Sequence, residues 1–208
     1  MRNKNMNLSA LIVGLGNPGT RYKNTRHDFG FLVADALKEA LDSDPVRETG
    51  KLSGIKKSEG YTCTDRVSTW KCMVLKPLTY MNNSGQAVAE ALRKNQTAVD
   101  RILVVHDELD LEPACVKMKM GGGLAGHKGL QSIAQSLGTR EFPRVRMGIG
   151  RPQSGTDAAG YVLRKFTPGE RDLLPGALDL AVKGILVFLE QDFIRAQQWV
   201  NSQSHSQL

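Results

Sequence analysis

Three cysteines in 208 residues, with no CxxC pair among them, leave nothing from which to build a disulfide framework or a zinc knuckle. Cys63, Cys72 and Cys115 are therefore expected as small core side chains in a reducing compartment. Long apolar runs are missing too. No stretch reaches the roughly 18 residues that a membrane-spanning helix needs. The opening segment 1–7 is charged without an apolar run, so neither a signal peptide nor a membrane span is expected, and the cytoplasm is the expected location. There is no HExxH, no internal repeat and no long linker. The chain suits a single domain, expected over residues 8–200, with 1–7 as a loose extension and 201–208 as a polar tail. A chain of this length buries about 70% of its unfolded surface, enough to hold a precise site.

Negative charge is in short supply. Lys and Arg number 28 against 21 Asp and Glu, a net charge of +7, and the sequence pI is about 9.4. Such a balance leans towards an anionic partner, although charge alone favours a merely soluble basic protein, and it is the placement of the cations that shifts the balance.

The apolar pattern alternates between strand and helix periods. Leu8 to Gly14 reads as an apolar strand entering a glycine-rich turn, and Thr25 to Leu41 carries Phe29, Leu32, Val33, Ala36, Leu37 and Leu41 on one helical stripe. Lys51 to Val67 and Trp70 to Pro77 read as two further strands, Asn83 to Lys94 as a helix, and Ile102 to Asp107 as a short strand buried on both faces. In Cys115 to Met120, Lys117 and Lys119 fall on one face of a strand; Arg144 and Arg146 do the same in Arg144 to Gly150. A helix follows the Gly121 to Gly129 loop. Thr167-Pro168-Gly169-Glu170 is a capping box opening a helical region to about Trp199, which Pro175 is expected to interrupt early. Alternating strands and helices predict one α/β layer fold, in which ligands gather at the carboxyl ends of strands.

Four segments are rich in proton-transferring or hydrogen-bonding groups: Gly14 through His27, Tyr80-Met81-Asn82, His106 through Asp110, and Gly121 through Gly129; Asn17, Asp107 and the last of these loops follow such ends. Gly14, Gly16 and Gly19 satisfy a GxGxxG dinucleotide fingerprint. However, Thr20 to Asn24 is polar and bulky where a tightly packed helix is needed, and no acidic residue ends a second strand at the required distance. The later loop fails as a phosphate-binding Walker motif, because Lys128 follows His127 and Gly129 stands where Ser or Thr belongs.

Gly14-Leu15-Gly16-Asn17-Pro18-Gly19, Tyr22, Thr25-Arg26-His27, Lys76-Pro77, Tyr80-Met81-Asn82, His106-Asp107-Glu108-Leu109-Asp110, Gly126-His127, Gly129-Leu130 and Arg146 to Pro152 follow one another in an order and spacing that resembles the bacterial-type peptidyl-tRNA hydrolases. The resemblance runs from about Leu11 to the C-terminal helix. It implies a single α/β domain with a mixed, twisted sheet flanked by helices on both faces. It implies a metal-free esterase, with no cofactor, that cuts the bond between an N-blocked peptide and the terminal ribose of tRNA and so recycles tRNA released early from translation. The implied contacts are with the acceptor stem, the CCA end and the attached peptide. Neither a membrane nor an obligate protein partner is implied, and a monomer is the expected state.

Within that frame the side chains suggest roles. An imidazole, with an ordinary pKa of about 6.5, is suited to activating water near neutrality, and His27 is the expected base. A carboxylate on its other ring nitrogen would fix the tautomer, which is the place expected for Asp107. Asn17 is expected in the catalytic group, and Asn82 beside the substrate; read alone, both are also ordinary turn or cap residues. Met81 and Tyr22 are expected to wall the ester, and Lys128 to contact substrate. By resemblance Lys119 and Arg146 clamp a tRNA phosphate, with Lys117, Arg144, Arg140 and Arg151 adding to a basic surface. His106 is expected to be structural, and His127 to orient its loop or touch substrate. Two positions depart from the family: Asp28 and Lys128 stand where asparagine is usual. An RNA-binding relative without turnover is the rival reading, and the joint presence of His27, Asp107, Asn17 and Asn82 argues against it.

Overall fold

The computed structural model describes residues 8–152 and 157–203. Four strands, β1 (Ala10–Gly14), β4 (Lys71–Pro77), β5 (Ile102–Glu108) and β7 (Pro143–Gly148), form the parallel centre of a sheet. β2 (Arg47–Lys51) and β3 (Ser58–Asp65) extend it beyond β4 as antiparallel strands, and β6 (Val116–Met120) pairs antiparallel with β7 at the other edge. The order across the seven-stranded sheet is β2-β3-β4-β1-β5-β7-β6.

β1 and β5 are buried along their whole length, as the apolar runs Ala10 to Val13 and Ile102 to Val105 require of strands covered on both faces, and β5 stays buried through His106, Asp107 and Glu108. Ala10, Ile12, Leu103 and Val105 pack towards α1 (Phe29–Asp42), α5 (Pro168–Glu190) and α6 (Phe193–Gln203). Leu11, Val13, Ile102 and Val104 face the opposite core, closed by α2 (Ser84–Asn95) and α3 (Lys128–Leu137). Two apolar layers thus sandwich one mixed sheet, which is the expected architecture. Among the described residues no helix is long and apolar enough to cross a membrane.

Several expected elements shift. The strand expected over Lys51 to Val67 is a hairpin, because Gly54 and Lys57 adopt left-handed backbone (φ 79° and 47°) that interrupts the extended run between β2 and β3. Pro175 does not break α5; it lies in the second turn, where it and Arg171, whose carbonyl its ring deprives of a donor, are both exposed residues. The helical region breaks instead at Gln191, and Asp192 restarts it by accepting from the Arg195 amide at 2.8 Å. α6 runs to Gln203, past the point where a polar tail is expected, and Asn201 pairs with both backbone groups of Met118 on edge strand β6. A short helix α4 (Ala158–Val162), not foreseen from the sequence, is capped by Asp157. The expected N-terminal extension, 1–7, and residues 204–208 lie outside the described residues.

One close approach sets the stage for the site. A Cβ at Gly14 would fall 2.3 Å from the carbonyl oxygen of Gly30, and one at Gly30 would fall 2.3 Å from the amide of Leu15 and 2.5 Å from the carbonyl of Val105. Only glycine at both positions lets the start of α1 rest directly on the ends of β1 and β5.

Candidate active site

The carboxyl ends of β4, β1 and β5 lie side by side, so the segments leaving them converge. Asn17 follows β1, Met81 and Asn82 follow β4, and Asp107 is the penultimate residue of β5. His27 sits in a 3-10 turn, Arg26–Asp28, just ahead of α1, delivered there by the Gly14–Gly30 contact. Its neighbour Arg26 is buried and clamped. The guanidinium donates to both carboxylate oxygens of Glu170 at 2.9 and 2.7 Å and lies 4.3 Å over the Tyr161 ring. Glu170 is also the capping-box residue of α5. One glutamate thereby ties the start of that helix to the turn carrying His27, a role that only the tertiary contact reveals.

Asp107 is the hub. His27 Nδ1 lies 2.9 and 3.0 Å from its two carboxylate oxygens, and His127 Nε2 lies 3.1 Å from Oδ1. The two imidazoles are tilted at 43° with centroids 4.9 Å apart. His127 also caps α3, its Nδ1 accepting from the amides of Gly129 (3.1 Å) and Leu130 (3.3 Å). That arrangement fixes its tautomer: Nδ1 accepts, so Nε2 carries the hydrogen that Asp107 receives. Gly129 permits the approach, since a Cβ there would lie 2.5 Å from Met81 Sδ and 3.1 Å from His127 Cε1.

Charge follows from this geometry. Burial alone would raise the Asp107 carboxyl, but the two imidazoles outweigh it and hold the group far below the usual carboxylate range. For His27, burial opposes the imidazolium, yet the Asp107 carboxylate and its hydrogen bond raise the pKa above the ordinary value. Asp28 adds to the rise and Lys128 subtracts from it. His106, expected to be partly buried, is fully buried; it donates from Nδ1 to the carbonyl of Asp107 at 2.8 Å and is pushed by burial and by His127 down to about 3. Its ring meets His127 edge-on, with centroids 5.2 Å apart.

His27, Asp107 and His127 place one ligand atom each within 4.8 Å of the others. The donor chemistry nonetheless does not suit a cation, because the His127 nitrogen facing the group carries a hydrogen and offers no lone pair. Glu108 and Asp110 are engaged by Arg146 at 3.0 Å and by Arg151 at 2.9 Å.

A cleft of about 880 Å³ opens over the hub, lined by Asn17, His27, Met81, Asn82, Asp107 and Lys128. Residues not foreseen from the sequence also line it: Gln131 and Gln135 on α3, and Ala158, Val162 and Leu163 on and just after α4. Asn17 accepts at Oδ1 from the Met81 amide at 2.9 Å, which ties the β1 and β4 segments together and leaves its Nδ2 without a partner among the described residues. Tyr22 departs from expectation and is not among the cleft-lining residues. Its carbonyl receives the amide and hydroxyl of Thr25, so it shapes the turn leading to His27.

The basic strand face is real but unequal. Lys117 pairs across the strands with Arg146, and Lys119 with Arg144, on the sheet face bearing the glycine-rich loop. Arg144 does not belong to a phosphate surface: it is 2% exposed, and its guanidinium donates to the carbonyls of Gly121, Gly122 and Gly123, pinning that loop. Lys117 donates to the Asn201 carbonyl at 3.1 Å. Lys119 is exposed, and Arg146 is half-buried against Glu108.

An oriented imidazole and carboxylate at the strand ends of a mixed sheet, opening on a carboxamide-lined cleft, define a hydrolytic enzyme of the α/β class. The comparisons name the branch of that class. A family model for peptidyl-tRNA hydrolase matches residues 11–207. The peptidyl-tRNA hydrolase of Oleidesulfovibrio alaskensis is 46% identical over 199 residues, 95% of this chain and 98% of its own length. That of Mycobacterium tuberculosis is 40% identical over 192 residues, 92% and 97% of the two chains. The crystal structure of peptidyl-tRNA hydrolase from Acinetobacter baumannii aligns with a TM-score of 0.81 at 35% identity, covering 93% of this chain and 96% of its own. The chain belongs to the peptidyl-tRNA hydrolase family and is an enzyme that hydrolyses peptidyl-tRNA.

Proposed function

We propose that His27 is the general base of this hydrolysis and that Asp107 orients it. The observation that carries the reading is the pair of short contacts from His27 Nδ1 to the Asp107 carboxylate. With Nδ1–H engaged, the lone pair is on Nε2, the nitrogen left for substrate and water. Water gives a proton to Nε2 as its oxygen bonds to the ester carbonyl carbon. The tetrahedral intermediate collapses with cleavage of the bond to the ribose oxygen, and the imidazolium returns the proton to that oxygen. Asp107 stays ionised throughout and stabilises the imidazolium.

Asn17, its carboxamide turned by the Met81 amide, offers Nδ2 to the developing oxyanion. Met81, 4% exposed, forms the apolar floor beside the ester, and the exposed Asn82 supplies donor and acceptor groups to the peptide backbone. Lys128, exposed at the start of α3, donates to substrate without accepting. Lys119 and Arg146 contact phosphate at the acceptor stem, leaving the CCA end to enter the cleft; such contacts make affinity salt-dependent and nearly blind to base sequence. Tyr22 acts through the turn alone. The chemistry needs neither metal nor cofactor, since the base is an imidazole and the hub hydrogens are all engaged. A monomer in the cytoplasm completes the reading.

The test is release of an N-blocked amino acid from its tRNA by the unaltered protein and by His27→Ala in the presence of chelator. The expected loss is about 10³- to 10⁴-fold with tRNA binding kept. Near-normal release by the variant would overturn the assignment of the base.

A further inference from the structure

A second hollow, of about 630 Å³, lies on the outer face of α3, and neither the ester chemistry nor the phosphate contacts above make use of it. Helical spacing builds its floor. Gln131, Ala134, Gln135 and Gly138 stand at i, i+3, i+4 and i+7 along one stripe, while Leu130 and Ile133 turn away into the core. The glycine-rich loop forms a wall from Leu124 to Gly126, and that wall, with Gln131 and Gln135, also lines the cleft over Asp107, so the two hollows adjoin. Three polar side chains here are uncommitted. The carboxamides of Gln131 and Gln135 and the guanidinium of Arg140 make no hydrogen bond or ion pair among the described residues.

Charge points to an anionic chain. The described lining holds one cation, Arg140, and no acid. The carboxyl end of α3 carries the negative pole of that helix, about half a charge, which the full charge of Arg140 just beyond Gly138 outweighs. Lys119, the proposed phosphate contact, reaches the root of the same loop: a Cβ at Gly122 would fall 3.0 Å from its Nζ. A polynucleotide held at Lys119 with its end in the cleft therefore passes Leu124 to Gly126, the wall of this hollow.

We propose that the hollow seats the nucleotide preceding the terminal adenosine of the substrate tRNA, its base lying against Leu124 and Ala134 and presenting its edge to Gln131 and Gln135. The proposal rests on the cleft being where His27 hydrolyses the ester. An unpaired nucleotide exposes both its faces and its pairing edge, which a paired one does not. Each carboxamide brings a donor and an acceptor, the mixture that a base edge displays. No aromatic ring lines the hollow among the described residues, so edge hydrogen bonds rather than stacking hold the base. A peptide carries no constant charge to match Arg140, whereas every ribose-phosphate unit does. Seating the nucleotide next to the reacting ribose registers the ester against His27 without discriminating among tRNAs, whose CCA ends are alike.

A double-mutant cycle on acylated acceptor-stem minihelices tests this. Each carries an N-blocked amino acid and either the ordinary penultimate cytidine or the same nucleotide without its base. Gln131→Met combined with Gln135→Met removes both carboxamides at similar length, and Met is as good a helix former as Gln, so α3 is kept. Deleting the base and changing the glutamines are each expected to lower kcat/KM about 10-fold, with no further loss when both are done. Independent losses that multiply to about 100-fold would overturn the proposal. So would a loss in the variant that is equal on both minihelices and grows as the peptide is lengthened, which makes the hollow a peptide seat. Coupling between base and glutamines alongside near-normal release by His27→Ala would sustain the nucleotide seat and overturn the base; multiplying losses alongside an inactive His27→Ala protein would do the reverse.

Discussion

Two histidines meet on Asp107, and the segments that deliver them are built in opposite ways. His27 arrives on a turn locked by backbone against backbone at Gly14 and Gly30 and by the Arg26–Glu170 pair, in which Arg26 is nearly inaccessible to solvent. His127 arrives on a loop whose Gly121, Gly122, Ala125 and Gly126 all adopt left-handed backbone, at φ 55°, 91°, 45° and 74°. That loop is held by three carbonyl contacts to one side chain, Arg144. Backbone packing and a buried ion pair fix the turn of the proposed base, while hydrogen bonds from one side chain pin the loop of its companion. A site organised in this way tolerates loosening on the loop side, where a substrate must enter, and none on the side that moves the proton.

The largest effect should come from removing the shared hub. Asp107→Asn removes the charge and leaves one acceptor oxygen where two rings now donate, and single-turnover release should fall about 10³- to 10⁴-fold. Any residual activity should persist to lower pH, because the carboxylate that raises His27 is gone. Next, Gly30→Ala would drive a methyl into three backbone atoms, and thermal melting should show a loss of about 3 kcal/mol, roughly 6–12 °C for a chain of this size. Arg144→Met attacks the other side. It should lower the release rate about 10- to 100-fold by misplacing His127, and amide exchange should quicken at 121–127 while residues 26–30 stay protected. Equal exchange at both segments would erase the contrast. The smallest effect belongs to Lys119→Ala, which should leave chemistry in the bound complex intact and reduce the salt dependence of tRNA binding by about one unit of slope.

Much of this was legible in the sequence because apolar period and chain order coincide there. β1, α1 and β5 stand almost where their patterns place them, and the segments carrying Asn17, His27, Met81, Asn82 and Asp107 do converge. What escaped depends on contacts between distant residues. Arg144 and Arg146 are identical in alternation, yet the first is buried beneath a loop and the second half-exposed. The link of His127 to Asp107 rests on a cap that no spacing announces, and α4 is a five-residue helix too short for a period to register. Tyr22 sits in a motif beside site residues but contributes to the turn, since neighbours in sequence diverge once a chain bends.

The measurement that bears most directly on the contrast between the two histidines is chemical rescue. N-blocked aminoacyl-tRNA would be offered to His27→Gly and to His127→Gly with increasing free imidazole, the spontaneous reaction being subtracted. Saturable rescue of His27→Gly alone is the predicted result, because a diffusing base can refill a cavity beside Asp107 but cannot rebuild a helix cap. Rescue of His127→Gly, with His27→Gly as active as the unaltered protein, would contradict the account.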